Sequence, residues 1–326
     1  MAAFGRMGME KLMAWLRRAL LVFLVLVPLS GVLARDSVVE RVDSPYNSII
    51  VRKIGSSVYL DFVVGRCEFV ESIRDLDDPT KLPVSYTRTV TAALAYPNKL
   101  DSILEIGVGG GSTLSYLQHH LPKTRLTGVE IDPSVVAMAI KHFGLKPDER
   151  MKIEVADGRK YLAEHSALHD IIIVDAYRGT WVPETLTSVE FFGLVKARLS
   201  PNGVVAQNVE PTTLFYDSLA ATLKEVFGNV EAYSTGAAPG APANVVLIAY
   251  SGKARARGEL AQRAAVLQKQ YGFRHALPAL VAGGHAAGFK ADAPAFRDDR
   301  NSANTLLMID RANSKNTPRQ RREDCE

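Results

Sequence analysis

Two hydrophobic periodicities divide the chain. Between residues 37 and 75 short β-branched and aromatic runs, Val38–Val42, Ser48–Arg52 and Val58–Phe62, are separated by the turn residues Asp43-Ser44-Pro45 and Gly55-Ser56-Ser57. This predicts a small antiparallel β unit. Asp77–Pro83 reads as a connector, and helical spacing begins near Tyr86 and runs to about Ala95. From Ser102 short apolar runs alternate with helical ones. Strands are predicted at 102–106, 125–130, 151–155, 170–175, 203–208, 230–234 and 244–250, and helices near 112–121, 133–142, 158–165, 187–199 and 214–227. The alternation predicts an α/β fold, a Rossmann-like doubly wound, mostly parallel sheet covered on both faces. In such sheets ligands bind outside the carboxyl ends of the strands. Beyond residue 253 the pattern loosens, with one helix predicted over 256–270 and a loop over 282–289.

The first residues follow another rule. Arg6, Lys11, Arg17 and Arg18 against Glu10 give this segment +3 of the chain's +4 formal charge. The apolar run Ala19–Val27 follows, then Pro28, Gly31 and the small-residue end Val32-Leu33-Ala34. That is the order of a secretory signal, and the run is shorter than the roughly 20 apolar residues of a spanning helix. The expectation is an exported protein, periplasmic or secreted, or one anchored to the membrane by this segment alone; if the segment is misread, the protein is cytoplasmic. The rest is nearly neutral, which offers no general affinity for nucleic acid. Only Cys67 and Cys325 occur, too few for a disulfide framework or a metal cluster, although one bridge between them is open. The expected organisation is residues 1–34 signal peptide or anchor, 35–82 β unit, 83–252 Rossmann-like domain, 253–310 helical and irregular extension, and 311–326 a disordered polar tail.

The chemistry concentrates where predicted strands end. The run Leu104-Glu105-Ile106-Gly107-Val108-Gly109-Gly110-Gly111 leads directly into a helix. Glycines permit close backbone approach, and a helix N-terminus presents free N–H donors. Alone, such a loop also fits a plain strand-to-helix turn. Glu130 ends the next strand, 19 positions beyond Gly111 and suitably placed for ribose hydroxyls. Asp157-Gly158-Arg159 and Asp175 end the third and fourth. Carboxylates on successive strand ends favour a nucleoside cofactor. The dinucleotide fingerprint fits less well, because the third glycine comes one residue early. Glu105 with Gly107, Gly109 and Gly111 looks instead like the S-adenosylmethionine-binding class I methyltransferase fold. His119-His120 reads as an exposed helix end without a metal role, and no metal is expected.

A longer order of motifs resembles the spermidine synthase (polyamine aminopropyltransferase) family. Ser44–Val51 is similar to its N-terminal β unit. Val129–Pro133 with Val135-Val136, and Asp157–Arg159 with Tyr161-Leu162, are similar to its cofactor motifs. Asp170–Asp175, Pro183-Glu184, Leu186, Glu190–Phe192 and Asn202–Asn208 follow its active-site strand and what comes after. Asp298-Asp299 resembles a motif of membrane-associated members. The resemblance implies that Glu130 holds the ribose, Asp157 the adenine amine, Asp175 is the catalytic carboxylate and Tyr86 stands near the acceptor. It implies decarboxylated S-adenosylmethionine as co-substrate and a small-molecule amine as acceptor. Members often dimerise, which leaves a homodimer open.

Aminopropyl transfer displaces a sulfonium by an amine whose free pKa is about 10.4 if lysine-like, so neutralising it at pH 7 costs about 4.6 kcal/mol. A carboxylate within hydrogen-bond reach can take that proton. The chain departs from the family at Gly110 and Arg178, where aspartates are usual, at Thr87, which replaces a histidine or glutamine, and at Ala238-Pro239, where a tyrosine is usual. An uncharged loop and a cation suit a donor that keeps its carboxylate, so a methyltransferase using S-adenosylmethionine is the alternative. A non-catalytic exported protein that binds a ligand on the same fold is another. Donor preference separates the first two readings, and failure to bind any adenosyl ligand would favour the third.

Overall fold

A computed structural model of the chain describes residues 37–78, 80–177, 182–209, 214–236 and 244–313. The expectations for residues 1–34, for Arg178, Ala238-Pro239 and Cys325, and for the tail beyond Asn313 lie outside these. The described residues belong to a compact unit that begins at Asp36.

The N-terminal runs form an antiparallel meander, β1 (Ser37–Asp43), β2 (Ser48–Ile54), β3 (Ser57–Val64) and β4 (Cys67–Asp75), paired in that order. Alternation sends Ile49, Val51, Val58, Leu60 and Phe62 to one buried layer. On this sheet Asp61 has no exposure and is clasped by Arg52 at 2.6 and 2.9 Å. β4 was not predicted separately, because its run interleaves Glu68, Glu71, Arg74 and Asp75 with its apolar positions. Helix α1 (Ser85–Val90) continues as a 3-10 turn over Thr91–Ala95.

The second sheet takes β5 (Ser102–Ile106), β6 (Arg125–Glu130), β7 (Met151–Val155), β8 (His169–Val174), β9 (Leu199–Val209), β10 (Asn229–Ser234), β11 (Val245–Tyr250) and β12 (His285–Ala286). Their spatial order is β12-β10-β11-β9-β8-β5-β6-β7. The pairs linking β7, β6, β5, β8 and β9 are parallel, and β11, β10 and β12 add antiparallel edges. The chain therefore winds outward from β5 in one direction through β6 and β7, then in the other through β8 and β9. The crevice at the carboxyl ends of β5 and β8 is the topological switch point.

The intervening helices are α2 (Ser112–His120), α3 (Pro133–His142), α4 (Gly158–Glu164), α5 (Val189–Ala197) and α6 (Leu214–Phe227), followed by α7 (Arg257–Tyr271), α8 (Leu277–Ala282) and α9 (Ala303–Asn313). Period-two alternation in the strands divides the core. Ile103, Ile171 and Ile173 pack with Leu117, Leu260 and Leu277 on one face, and Leu104, Ile106 and Val174 with Phe191, Leu219 and Leu307 on the other. A third cluster joins the sheets, because Val135, Met138 and Phe143 pack against the meander.

Three expectations change. The predicted loop at 282–289 contains the short edge pairing of β12 with β10. α9 runs three residues into the stretch from Arg311 expected to be tail. His119 is exposed, but His120 is buried against Tyr116 and Phe273 with Nδ1 facing the Tyr271 carbonyl at 3.2 Å. Among the described residues no helix is long and apolar enough to cross a membrane.

Candidate active site

A cavity of about 470 Å³ opens at the switch point, between the carboxyl ends of β5 to β9 and the meander. Each strand delivers its last side chains there because an apolar run ends and a turn begins. β5 ends in the glycine loop, where Gly107 (φ +89°) lies so close to β8 that an added Cβ would stand 2.5 Å from the Asp175 carbonyl oxygen. Gly107 N–H donates to the Val129 carbonyl, and Asp175 N–H to the Ile106 carbonyl at 2.8 Å. The loop is thus laced to both neighbouring strands.

Glu130, 8% exposed, spans the loop from β6. Its Oε2 accepts from the Val108 and Gly109 amides at 3.0 and 3.4 Å, and its Oε1 from the Asp132 amide at 3.1 Å. Burial raises its pKa against the lowering effect of those amides. Asp157 caps α4 by accepting from the Lys160 amide at 2.9 Å, and it too lines the cavity. Gly158 follows with no room for a side chain, since a Cβ would meet Ile106 Cγ2 at 2.3 Å.

Asp175 ends β8 within a chain of oriented donors. Asn244 Nδ2 donates to Asn208 Oδ1 at 3.0 Å, which leaves the Asn208 amide nitrogen to donate to Asp175 Oδ1 at 2.9 Å. The Tyr86 hydroxyl, from α1, also bonds Asp175. Burial pushes the Asp175 carboxyl up to about 7, against the lowering pull of both bonds. The Tyr86 phenol is raised well above its usual value by burial, by the Asp175 charge and its hydrogen bond, and by Glu105 and Glu71. Glu105, two residues before Gly107, is 2% exposed. Burial raises it strongly and the neighbouring Asp175 adds to this, while a bond from Thr113 opposes.

Asp175, Tyr86, Glu105, Gly107, Gly109, Glu130, Asp157 and Gly158 all line this cavity. Gly111 is not among the lining residues. It stands at the start of α2 with φ +70°, packed toward Leu145. Thr87 lines the cavity while its Oγ1 donates back to the Val84 carbonyl at 2.7 Å. Sequence reasoning missed Asn208 and Glu71. The strand-end rule applied to β9 would have found Asn208, whereas Glu71 depends on a strand that was not resolved in the pattern. Asp298 proves to sit beside the site. It is paired with Arg159, accepts from Ser188 Oγ at 2.6 Å, and Arg159 in turn donates to the carbonyl of the lining residue Thr185 at 3.2 Å.

The meander is fixed to this wall by one buried carboxylate. Asp132 Oδ1 accepts from the Ser134 amide at 2.9 Å, capping α3, while Oδ2 accepts from Ser44 Oγ at 2.5 Å and Asn47 Nδ2 at 3.0 Å. Pro45, Tyr46 and Asn47 consequently form part of the cavity lining.

Among known proteins, the family described as spermine/spermidine synthase domain matches residues 85–258. A polyamine aminopropyltransferase of Vibrio vulnificus (strain CMCP6) is 31% identical over 200 residues, 60% of this chain and 67% of that one. One from Chromobacterium violaceum is 36% identical over 49% of this chain and 62% of its own length. The human eEF1A lysine and N-terminal methyltransferase is 32% identical over 46% of this chain and 24% of its own. The match thus spans between about a quarter and two thirds of these relatives. Among solved structures, a probable spermidine synthase from Corynebacterium glutamicum superposes with TM-score 0.62 at 20% identity, covering 80% of this chain and 97% of that one. Human methyltransferase-like protein 13 in complex with SAH gives 0.51 at 27%, covering 64% and 96%.

Proposed function

This chain belongs to the spermine/spermidine synthase family, and from that premise we propose that it transfers an aminopropyl group from decarboxylated S-adenosylmethionine to a small amine. The observation that carries the reading is Asp175, held at the switch point by Asn208 and Tyr86 with its carboxyl at about 7. The cavity falls within the 300–1,000 Å³ usual for small-ligand sites, and 470 Å³ leaves room for a nucleoside and a short amine. Glu130 would hold the ribose and Asp157 the adenine amine, each already at a strand end beside the glycine loop.

When bound, the donor supplies an electrophilic carbon next to its sulfonium. The new N–C bond forms as the C–S bond breaks, which releases methylthioadenosine, and the displaced proton goes to Asp175. An ordinary aspartate near 3.9 would be mismatched to an ammonium near 10.4 by about 9 kcal/mol; a carboxyl at about 7 narrows this to about 4.6 kcal/mol. Asn208 fixes the accepting carboxylate, and Phe62, Phe69 and Val70 add apolar surface to the cavity lining. The test is product analysis with the full chain, decarboxylated S-adenosylmethionine and a panel of diamines. Release of methylthioadenosine that requires an amine supports the reading, and its absence with every amine rejects it.

Methyl transfer to an amine from intact S-adenosylmethionine is the second reading. The similarity to methyltransferases and the uncharged Gly110 favour it. S-adenosylhomocysteine formation under the same conditions would select it.

A further inference from the structure

We propose that Asn244 is a positioning residue for the reaction: acting through Asn208, it sets the polarity of the hydrogen bond that Asp175 receives. The inference rests on the aminopropyl reading and names what keeps its base ready to accept a proton.

Strand register brings the three side chains together. Val174 pairs with Gln207 across β8 and β9, so Asp175 and Asn208 are the next residues of their strands. Asn208 stands opposite Val246 of β11, and Asn244, two residues earlier, shares that face and lies diagonal to it. Asn208 is 3% exposed. Asparagine is a poor strand former, and a buried amide has to be met at both ends. Here both ends are met. Its nitrogen donates to Asp175 Oδ1 at 2.9 Å, and its Oδ1 accepts from Asn244 Nδ2 at 3.0 Å. The backbones on either side are pinned. The Asn208 carbonyl accepts from the Tyr177 hydroxyl at 2.7 Å and from Gln207 Nε2 at 2.9 Å, and the Asn244 carbonyl accepts from the Thr235 amide at 3.0 Å.

With the backbones held, the remaining freedom is which end of the Asn208 amide faces Asp175. One end donates and the other accepts. An ionised carboxylate only accepts, so the donor end suits the charged form, whereas the acceptor end would require a proton on Asp175. Asn244 occupies the Asn208 oxygen with a donor and thereby reserves the nitrogen for Asp175. Among the other titratable groups, Tyr86 on α1 also bonds Asp175 and favours its charge, and Glu105 on β5 is its acidic neighbour. Glu71 on β4 acts on Tyr86, and Glu130 on β6 acts on Glu105. None of these four is altered in the variants below.

The test replaces Asn244 in the full chain. Asn244→Asp keeps the shape but presents an acceptor. Asn208 then turns its nitrogen to residue 244 and its oxygen to Asp175, which keeps its proton to higher pH. The inflection of amine-dependent methylthioadenosine release should move up by about one pH unit, lowering the rate about five-fold at pH 7 and less than about two-fold at pH 9. Asn244→Ala removes the partner without supplying the opposite one, and should move the inflection by less than about 0.3 pH unit. In an Asn208→Ala background, where only direct repulsion is left, Asn244→Asp should move it less than about half as far. Melting temperatures follow the same ionisation without turnover. The pH at which the difference between wild type and Asp175→Asn levels off should rise by about one pH unit when both carry Asn244→Asp. If N244D leaves both profiles in place, or moves them equally with and without Asn208, or if N244A moves them as far as N244D, the inference falls. If methylthioadenosine is never released while the melting profiles move as stated, the aminopropyl reading falls and the coupling of Asn244 to Asp175 stands.

Discussion

Replacing Asp175 with asparagine keeps the side chain's shape and removes its charge. Burial raises the carboxyl from an ordinary 3.8 to about 7, so ionising it in the fold costs about 4 kcal/mol more than in the unfolded chain, at about 1.4 kcal/mol per pH decade. Below pH 3.8 both states hold the proton and nothing is lost. Between 3.8 and about 7 the folded state keeps a proton the unfolded state has released, so this group makes stability fall as pH rises; above 7 the full cost is present. Asparagine escapes it. Its oxygen still accepts from Asn208, but the bond from Tyr86 is lost in its present sense, at about 1 kcal/mol. The net expectation is a variant about 1–3 kcal/mol more stable than wild type at pH 8 and no more stable at pH 4. At roughly 2–4 °C per kcal/mol this is a rise of several degrees in melting temperature at pH 8. Amine-dependent methylthioadenosine release should fall about 10²–10⁴-fold, the usual yield of a general base. The wild-type rate should climb with pH through an inflection near 7, where Asp175 ionises. Melting curves at both pH values and initial rates test all of this. If the two proteins differ equally at pH 4 and 8, Asp175 does not carry the burial cost, and if the variant keeps its rate, the base lies elsewhere.

Gly158→Ala sets a methyl group 2.3 Å from Ile106 Cγ2 inside a buried strand–helix contact, so denaturant titration should show a loss of about 1–3 kcal/mol; an unchanged midpoint would mean α4 moves freely. Asp298→Asn weakens the Arg159 pair, with side chains 25% and 40% exposed, that steadies the Thr185 carbonyl at the cavity rim. Such a pair is worth about 0.5–1 kcal/mol, so KM for the donor should rise about two- to five-fold with kcat unchanged. A fall in kcat with KM unchanged would place Asp298 in another role.

The parallel sheet was legible because its strands are short apolar runs buried on both faces, ended by glycine or a carboxylate. Glu130, Asp157 and Asp175 could be named from those ends alone. The meander was only partly legible. Four consecutive β4 residues, Phe69 to Ser72, line the cavity and Val70 among them is half exposed, so neither strict alternation nor an apolar run marks the strand, and Glu71 went unseen with it. β12 has two residues and is held by β10 rather than by its own propensity. His120 looked like surface because the helix's hydrophobic stripe ends there; Phe273 and the Tyr271 carbonyl, about 150 positions later, bury it. These misses share a cause: each position is set by a partner distant in sequence.

The same distinction bears on how donor preference is read from a motif. Gly110 without its carboxylate, taken as a string, argues for a weaker hold on a cation. Taken in space, the cation's counter-charge need only lie within a few ångströms of the same point, and the strand that feeds the loop can supply it as well as the loop. Removing the side chain at Gly110 lets Phe143 close the seam between α3 and the meander, which Asp132 completes through Ser44 and Asn47. The meander's Ser72 and Phe62 line the same cavity as the carboxylates, so the cavity keeps its shape only while the meander is docked. Ligand binding at this cavity and attachment of the N-terminal β unit should accordingly be lost together.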